Sequence, residues 1–333
     1  MSTTIPSRPV GSDEALASAP PLCVDLDGTL IYSDMLWESL AVLLRSNFLC
    51  MFLVPWWLLK GRANLKRQVA ALVTCNPALL PYNEPFCEYL RAEKKSGRRL
   101  LLVSASEHTL VEQVAKHTGL FDEAMGSDGQ VNLRGAQKTA ALVARFGKGG
   151  YDYAGNSHID WPVWQSSRRI IVVNASKSLA KRAKAHFDVA AEFPGPPHRM
   201  RAVWQALHPW IWAGNLVVIV PFAMVADSAN LAMEWTAFFT WLVYSMFASG
   251  IALVIALLDL SRDRQDEDRN DGPLASGRVY LPWAFGAASV LLIVPLLVAW
   301  LAPMPMGKVL LDYGVFISLL FTAPKWMGKP SAH

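Results

Sequence analysis

Two carboxylates two positions apart, Asp25 and Asp27, close a short apolar run and lead into Gly28 and Thr29. On an extended backbone such residues start from the same side, and a glycine allows the tight turn by which the chain leaves. Paired carboxylates can divide nucleophilic and proton-transfer duties and offer oxygen ligands to a hard cation. A second apolar run ends in Ser104, and another ends in Gly155-Asn156-Ser157-His158-Ile159-Asp160, with Lys138 on a helical stretch between them. Singly, each of these is an ordinary surface feature; their order and their places at the ends of apolar runs carry the information.

Elements that could position these residues follow from periodicity. Short β-branched runs at Pro21 to Leu26, Arg99 to Ser104, Tyr151 to Gly155 and Arg168 to Asn174 alternate with helical periods at Val111 to His117, Gln137 to Phe146 and Lys177 to Phe187. That alternation predicts a Rossmann-like, doubly wound parallel sheet covered by helices, an α/β fold whose ligands sit at the carboxyl ends of the strands. Between the first two runs lies an insertion at about 31–97, too long for a plain crossover. Its stretch from Leu36 to Leu59 is very apolar but carries Glu38 and Arg45, then Pro55, Trp56, Trp57, Lys60 and Arg62. It reads as a helical cap whose Trp-rich edge lies on a membrane interface, the alternative being a buried helical hairpin.

The chain has 333 residues, 53% hydrophobic, with a net charge of +4 and a mean hydropathy of +0.25. That is too apolar for an ordinary soluble chain, so part of it is expected in a bilayer. The first 203 residues carry 24 Lys and Arg against 18 Asp and Glu, the last 130 only 7 against 9. No basic run supports nucleic-acid binding. Residues 1–20 form a polar, disordered leader without the apolar core of a signal peptide. Cys23, Cys50, Cys75 and Cys87 lack paired spacing and read as reduced thiols. The Gly147-Lys148-Gly149-Gly150 stretch lacks the context of a phosphate-cradling loop.

After a linker at 191–203, Trp210 to Ala226, Trp235 to Leu258, Val279 to Ala302 and Val309 to Ala323 are four candidate spans, so that residues 204–333 read as an all-α transmembrane bundle. The second connection holds Arg262, Arg264, Arg269 and Arg278, whereas the first holds Asp227 and Glu234. The positive-inside rule then places both termini, and the α/β domain, on the cytoplasmic side of the inner membrane.

Residues 21–190 resemble the haloacid dehalogenase superfamily of phosphohydrolases, whose four motifs occur here in order. The resemblance implies a nucleophilic Asp25, a general acid/base Asp27, phosphate contacts from Thr29, Ser104 and Lys138, and an Mg2+ site formed by Asp25, Asp27, Asn156 and Asp160. Phosphoryl displacement demands that kind of set, because a nucleophile approaching a dianion needs cations and fixed donors around it. Residues 204–333 resemble the first helices of a UbiA-type prenyltransferase, of the kind related to polyprenyl-phosphate phosphoribosyltransferases, through Ala206 to Asn215, Leu258 to Asp263 and Pro273 to Gly277. Asp259 and Asp263 match two carboxylates of that family's metal-binding motif, but Ile255 and Ala256 replace its Asn and first Asp. His208, Gly214 and Gly272 stand where it carries Arg, Lys and Arg. The expectation is a degenerate or truncated transferase remnant that anchors a magnesium-dependent phosphatase acting on a phosphorylated small molecule or a lipid-linked sugar phosphate. The competing view is that a partner membrane transferase supplies the further helices that the transferase family carries. The alternatives are an active transferase with an appended phosphatase, or a scaffold.

Overall fold

The computed structural model of the chain describes residues 19–128, 132–197, 199–219 and 231–301. Up to Gly195, apart from Leu44–Ser46, they form one compact unit; Leu44–Ser46 and the described residues from Pro196 form a second.

In the first unit six strands, β1 Leu22–Val24, β2 Leu100–Glu107, β3 Glu123–Ser127, β4 Asp152–Gly155, β5 Ile170–Val173 and β6 Val189–Phe193, form one sheet in the order β3-β2-β1-β4-β5-β6. Every pairing is parallel. The chain works outward from β1 to β3, returns to the other side of β1, and works outward again to β6. The direction reverses between β1 and β4, and at such a switch point a crevice opens beyond the strand ends.

Alternation sorts the core onto two faces. Leu22, Val24, Leu100 and Leu102 pack on one side with Val111 and Val114 of the helix His108–Thr118. Cys23, Leu101 and Val103 pack on the other with Leu142 of the helix Ala136–Phe146. Because both faces are covered, these strands are runs of apolar residues rather than alternating patterns.

The insertion holds helices Met35–Ser46, Val54–Leu59 and Arg62–Leu72, with a 3-10 turn at Phe48–Leu53. Its last helix, Glu84–Lys95, sends Phe86, Cys87 and Leu90 into the same core as Leu22 and Leu100. That helix is therefore the crossover into β2. Two strands had no clear periodic signal: β3 is half-buried throughout most of its length, and β6 alternates partly buried with exposed residues.

The second unit contains two helices long and apolar enough to cross a membrane, Leu231–Leu258 and Leu281–Leu301. At 1.5 Å per residue they reach about 42 and 32 Å, against a hydrocarbon core of about 30 Å. A Cβ on Gly250 would come 3.0 Å from Leu292, so the glycine permits their close approach. Ser249 accepts from Trp212 Nε1 at 2.8 Å and donates to the Leu207 carbonyl at 2.7 Å, so polar groups of the apolar helix are paired internally. Of the expected first span, Trp210–Gly214 is helical and Asn215–Ile219 is a 3-10 turn. Its remainder and the expected fourth span lie outside the described residues, as does most of the leader.

Candidate active site

Strand β1 stops at Val24, one position before the first carboxylate. The Asp25 N–H still donates to the Ala154 carbonyl of β4 (3.0 Å), and the amides of Leu30 and Ile31 then fold back onto the Leu26 carbonyl (3.1 and 3.2 Å). Gly28 takes a positive φ of 75° in this turn. The strand thus ends before either carboxylate, and the backbone has begun to turn before Asp27 is reached.

Asp25 keeps the parity of Cys23 and meets the face covered by the helix Ala136–Phe146. There the buried Lys138 Nζ donates to Asp25 Oδ1 at 2.7 Å and to the Tyr153 hydroxyl at 2.9 Å. The Tyr153 hydroxyl donates in turn to Asp160 Oδ1 at 3.1 Å. Asp160 Oδ2 accepts from the amides of Asn156 (3.1 Å) and Ser157 (3.0 Å) and from the Ser157 hydroxyl. Asp160 therefore closes a capping box on its own short turn. Both of its oxygens accept from protein donors, and Oδ1 links it through Tyr153 to Lys138.

Asp27 belongs to other elements. Its Oδ1 accepts from the Met35 amide at 2.8 Å, and its Oδ2 from the hydroxyls of Ser104 (2.9 Å) and Ser106 (2.8 Å). Ser104 and Ser106 share a side because they are two apart on β2. Ser104 thus gives its hydroxyl hydrogen to Asp27, while its oxygen accepts from the Ser106 amide at 3.0 Å. Thr29 is fully buried, and its Oγ1 has no partner among the described residues.

Burial pushes the Asp25 carboxyl up to about 7; Lys138 opposes this, while the nearby carboxylates Asp160 and Asp27 add to it. Burial works to lower the pKa of Lys138, but the charges of Asp25 and Asp160 outweigh it and hold the ammonium above its ordinary value. Three carboxylates around one lysine leave an excess of negative charge, which a hard divalent cation would offset. Among the described residues no group of three or more His, Cys, Asp or Glu side chains is arranged for a metal. Magnesium prefers oxygen donors and retains waters, and its set here would be the Asp25 carboxylate, the Asp27 carbonyl and the Asn156 amide oxygen. Asn156 is placed for this: a Cβ on Gly28 would lie 2.0 Å from its Nδ2, so the bare glycine lets the amide rest on the turn. The donor chemistry fits the ion.

Several residues in the site had not been singled out from sequence. Tyr153 is enclosed within β4 and looked like a core aromatic. Ser106 lies past the expected end of β2. Asp34 caps the helix Met35–Ser46, and burial together with Asp27 raises its carboxyl to about 7 against the pull of Lys66. Lys66, from the insertion, donates to the Ala105 carbonyl at 2.7 Å, between the two serines. Asn174, at a positive φ of 52°, donates to the Gly28 carbonyl at 2.8 Å. His158 is exposed.

In the second unit Asp259 lies 3.7 Å from Arg262 and Asp263 3.5 Å from Arg269. Each acid of the expected transferase motif therefore has an arginine beside it.

No protein-family model matches the chain. An uncharacterised protein of Sinorhizobium fredii, y4nM, is 31% identical over 276 residues, which cover 82% of this chain and 53% of that protein. The chain thus spans about half the length of that curated relative. Among solved structures, a protein of unknown function from Bordetella pertussis Tohama I matches 51% of this chain and 96% of its own at 15% identity, with a TM-score of 0.40. A substrate-bound phosphoserine phosphatase matches 56% and 97% at 13% identity and a TM-score of 0.36. A phosphoserine phosphohydrolase-like protein from Francisella tularensis matches 53% and 96% at 13% identity and 0.37.

Proposed function

We propose that this chain is a phosphomonoesterase that works through an aspartyl-phosphate on Asp25 and is held on a membrane by its apolar helices. The observation that carries the reading is the pairing of Asp25 with Lys138 at 2.7 Å, at the switch point of a parallel sheet, with a second carboxylate two residues on and separately anchored. A buried carboxylate facing a fixed ammonium is suited to attack phosphorus, since the lysine offsets charge on both the nucleophile and the incoming phosphoryl group.

In the first half-reaction Asp25 forms a bond to phosphorus as the ester oxygen leaves, and Asp27 delivers the proton that the leaving oxygen needs. In the second, Asp27 takes a proton from water as that water attacks the acyl phosphate. Inorganic phosphate departs and Asp25 is regenerated. Met35, Ser104 and Ser106 keep Asp27 oriented through both transfers. Asp160, through Tyr153, keeps Lys138 directed at Asp25. A magnesium ion held by Asp25, the Asp27 carbonyl and Asn156 would supply further charge neutralisation for the phosphoryl group.

The resemblance to transferase fusions supports a lipid-linked sugar phosphate, such as a polyprenyl-phosphoryl 5-phosphoribose, as substrate. The four arginines between the two long helices support a cytoplasmic placement of the site at the inner membrane, with the chain crossing it several times. The test is hydrolysis of a generic phosphomonoester by the full chain with magnesium. Asp25→Asn keeps the side-chain shape but removes the nucleophile, so turnover is expected to vanish. Retention of more than about a tenth of wild-type turnover, where a lost covalent step should cost several kcal/mol, would overturn the assignment.

A further inference from the structure

The insertion presents a surface that the phosphatase chemistry does not use. Between Phe48 and Leu59 the chain exposes Phe48, Leu49, Phe52, Leu53, Trp56, Leu58 and Leu59, with Leu49 at 72%, Phe52 at 70% and Leu59 at 81% of their full areas. Isolated exposed apolar residues are normal, but seven within twelve positions concentrate apolar surface on one short segment, which water does not favour.

Charge along the segment that carries the patch has one sign, although Arg45 itself donates to the Leu258 carbonyl and lies 3.8 Å from Asp259. From Ser39 to Asn83 there is no aspartate or glutamate, while Arg45, Lys60, Arg62, Lys66 and Arg67 fall in that interval. Lys66 turns to the Ala105 carbonyl. Lys60, Arg62 and Arg67 are exposed just beyond the apolar run, and the Lys60 ammonium lies 5.1 Å from the centre of the Trp56 ring. An apolar face bordered by cations, with tryptophan at the boundary, matches the layering of a lipid interface.

We propose that Phe48–Leu59 docks in the plane of a bilayer surface containing anionic lipid, with its apolar side chains at the acyl boundary and Lys60, Arg62 and Arg67 among the headgroups. Length supports lying over crossing: six residues in a 3-10 turn and six in an α-helix extend only about 20 Å, short of the roughly 30 Å hydrocarbon core. Charge favours lipid over a second copy of the chain, because a symmetric contact would bring like cations together. The inference rests on the membrane reading above, since Leu231–Leu258 and Leu281–Leu301 on the same chain would keep a bilayer within reach, and it is independent of the phosphatase assignment.

The full chain is reconstituted into phosphatidylcholine vesicles with or without phosphatidylglycerol. An environment-sensitive fluorophore is placed on Phe52→Cys or, as a control, on Lys116→Cys, both in a Cys50→Ser background. Flotation of the vesicles reports whether the chain is membrane-held at all. The expected result is flotation with both labels, and loss of about half or more of the emission at position 52, but not 116, when the lipid acyl chains carry a nitroxide quencher. Lys60→Glu with Arg62→Glu should weaken that quenching in the vesicles containing phosphatidylglycerol. Flotation with position 52 quenched only by aqueous iodide overturns the docking and leaves the anchor standing. A dry but lipid-unquenched label at 52 means that protein covers the patch and overturns it too. Absence of flotation overturns both.

Discussion

Asp25 and Asp27, separated by one leucine, share no hydrogen-bond partner: Asp25 is met by Lys138, whereas Asp27 is held by Met35, Ser104 and Ser106. The two carboxylates lie near each other but are anchored by separate elements, so each can be perturbed without touching the anchors of the other.

Ser106→Ala removes one charge-assisted hydrogen bond from Asp27 and leaves Ser104 and the Met35 amide in place. The expected loss is about 1.5–3 kcal/mol of orientation, read as a fall in kcat of roughly tenfold or more with little change in KM. Asp27→Asn removes the proton carrier itself, and should cost about 10²–10⁴ in kcat. If both variants lose activity equally, Ser106 does more than hold Asp27.

Tyr153→Phe keeps Lys138 beside Asp25 but cuts the link to Asp160, leaving Asp160 Oδ1 without its tyrosine donor. An unsatisfied buried acceptor costs about 1–3 kcal/mol, so a lower unfolding midpoint in denaturant is expected. A merely structural tyrosine would change stability alone. The positioning role also predicts a displaced pH–rate profile, because Lys138 loses one of the two groups that fix it.

Gly28→Ala places a methyl where Asn156 Nδ2 now lies, at a backbone φ of 75°. The left-handed conformation alone costs a non-glycine residue about 1–2 kcal/mol, and the clash displaces Asn156. Titration of phosphatase activity with magnesium should show a higher concentration for half-maximal rate, beyond any loss of stability.

Asp34→Asn tests a partly buried carboxyl. Burial and Asp27 raise the folded-state pKa of Asp34 to about 7, from an ordinary value of 3.8. A carboxyl raised on folding stabilises the protein fully below its unfolded pKa and loses that contribution as pH rises through the folded value. Asparagine mimics the neutral form and still caps a helix well. In EDTA the variant should therefore match the wild type near pH 4 and gain in Tm relative to it between pH 4 and 8. A constant difference across that range would place the titration elsewhere.

Chain-local physics determined much of this protein. Apolar runs such as Leu22–Val24 and Leu100–Val103, alternating with stretches of period 3.6, point to strands buried on both faces and joined by parallel crossovers, so four of the six strands and the positions of Asp25, Ser104 and Lys138 near their carboxyl ends were legible. Leu231–Leu258 and Leu281–Leu301 were legible for the same reason, as length and apolarity are properties of a segment. Tertiary structure decided what depends on where the backbone turns and what packs against it. The turn at Leu26 hands Asp27 to Met35, Ser104 and Ser106 while Asp25 meets Lys138, and no pattern in Asp-Leu-Asp-Gly marks that. Tyr153 joins Lys138 to Asp160 only because β4 lies beside β1 and beneath one particular helix. Glu84–Lys95 is a crossover rather than part of a cap because its apolar face, similar in composition to that of its neighbours, meets Leu22 and Leu100. Hydrogen bonds between residues far apart in the chain, such as Asp25 with Lys138 and Asp27 with Ser104, are set by topology, and topology is a property of the folded chain.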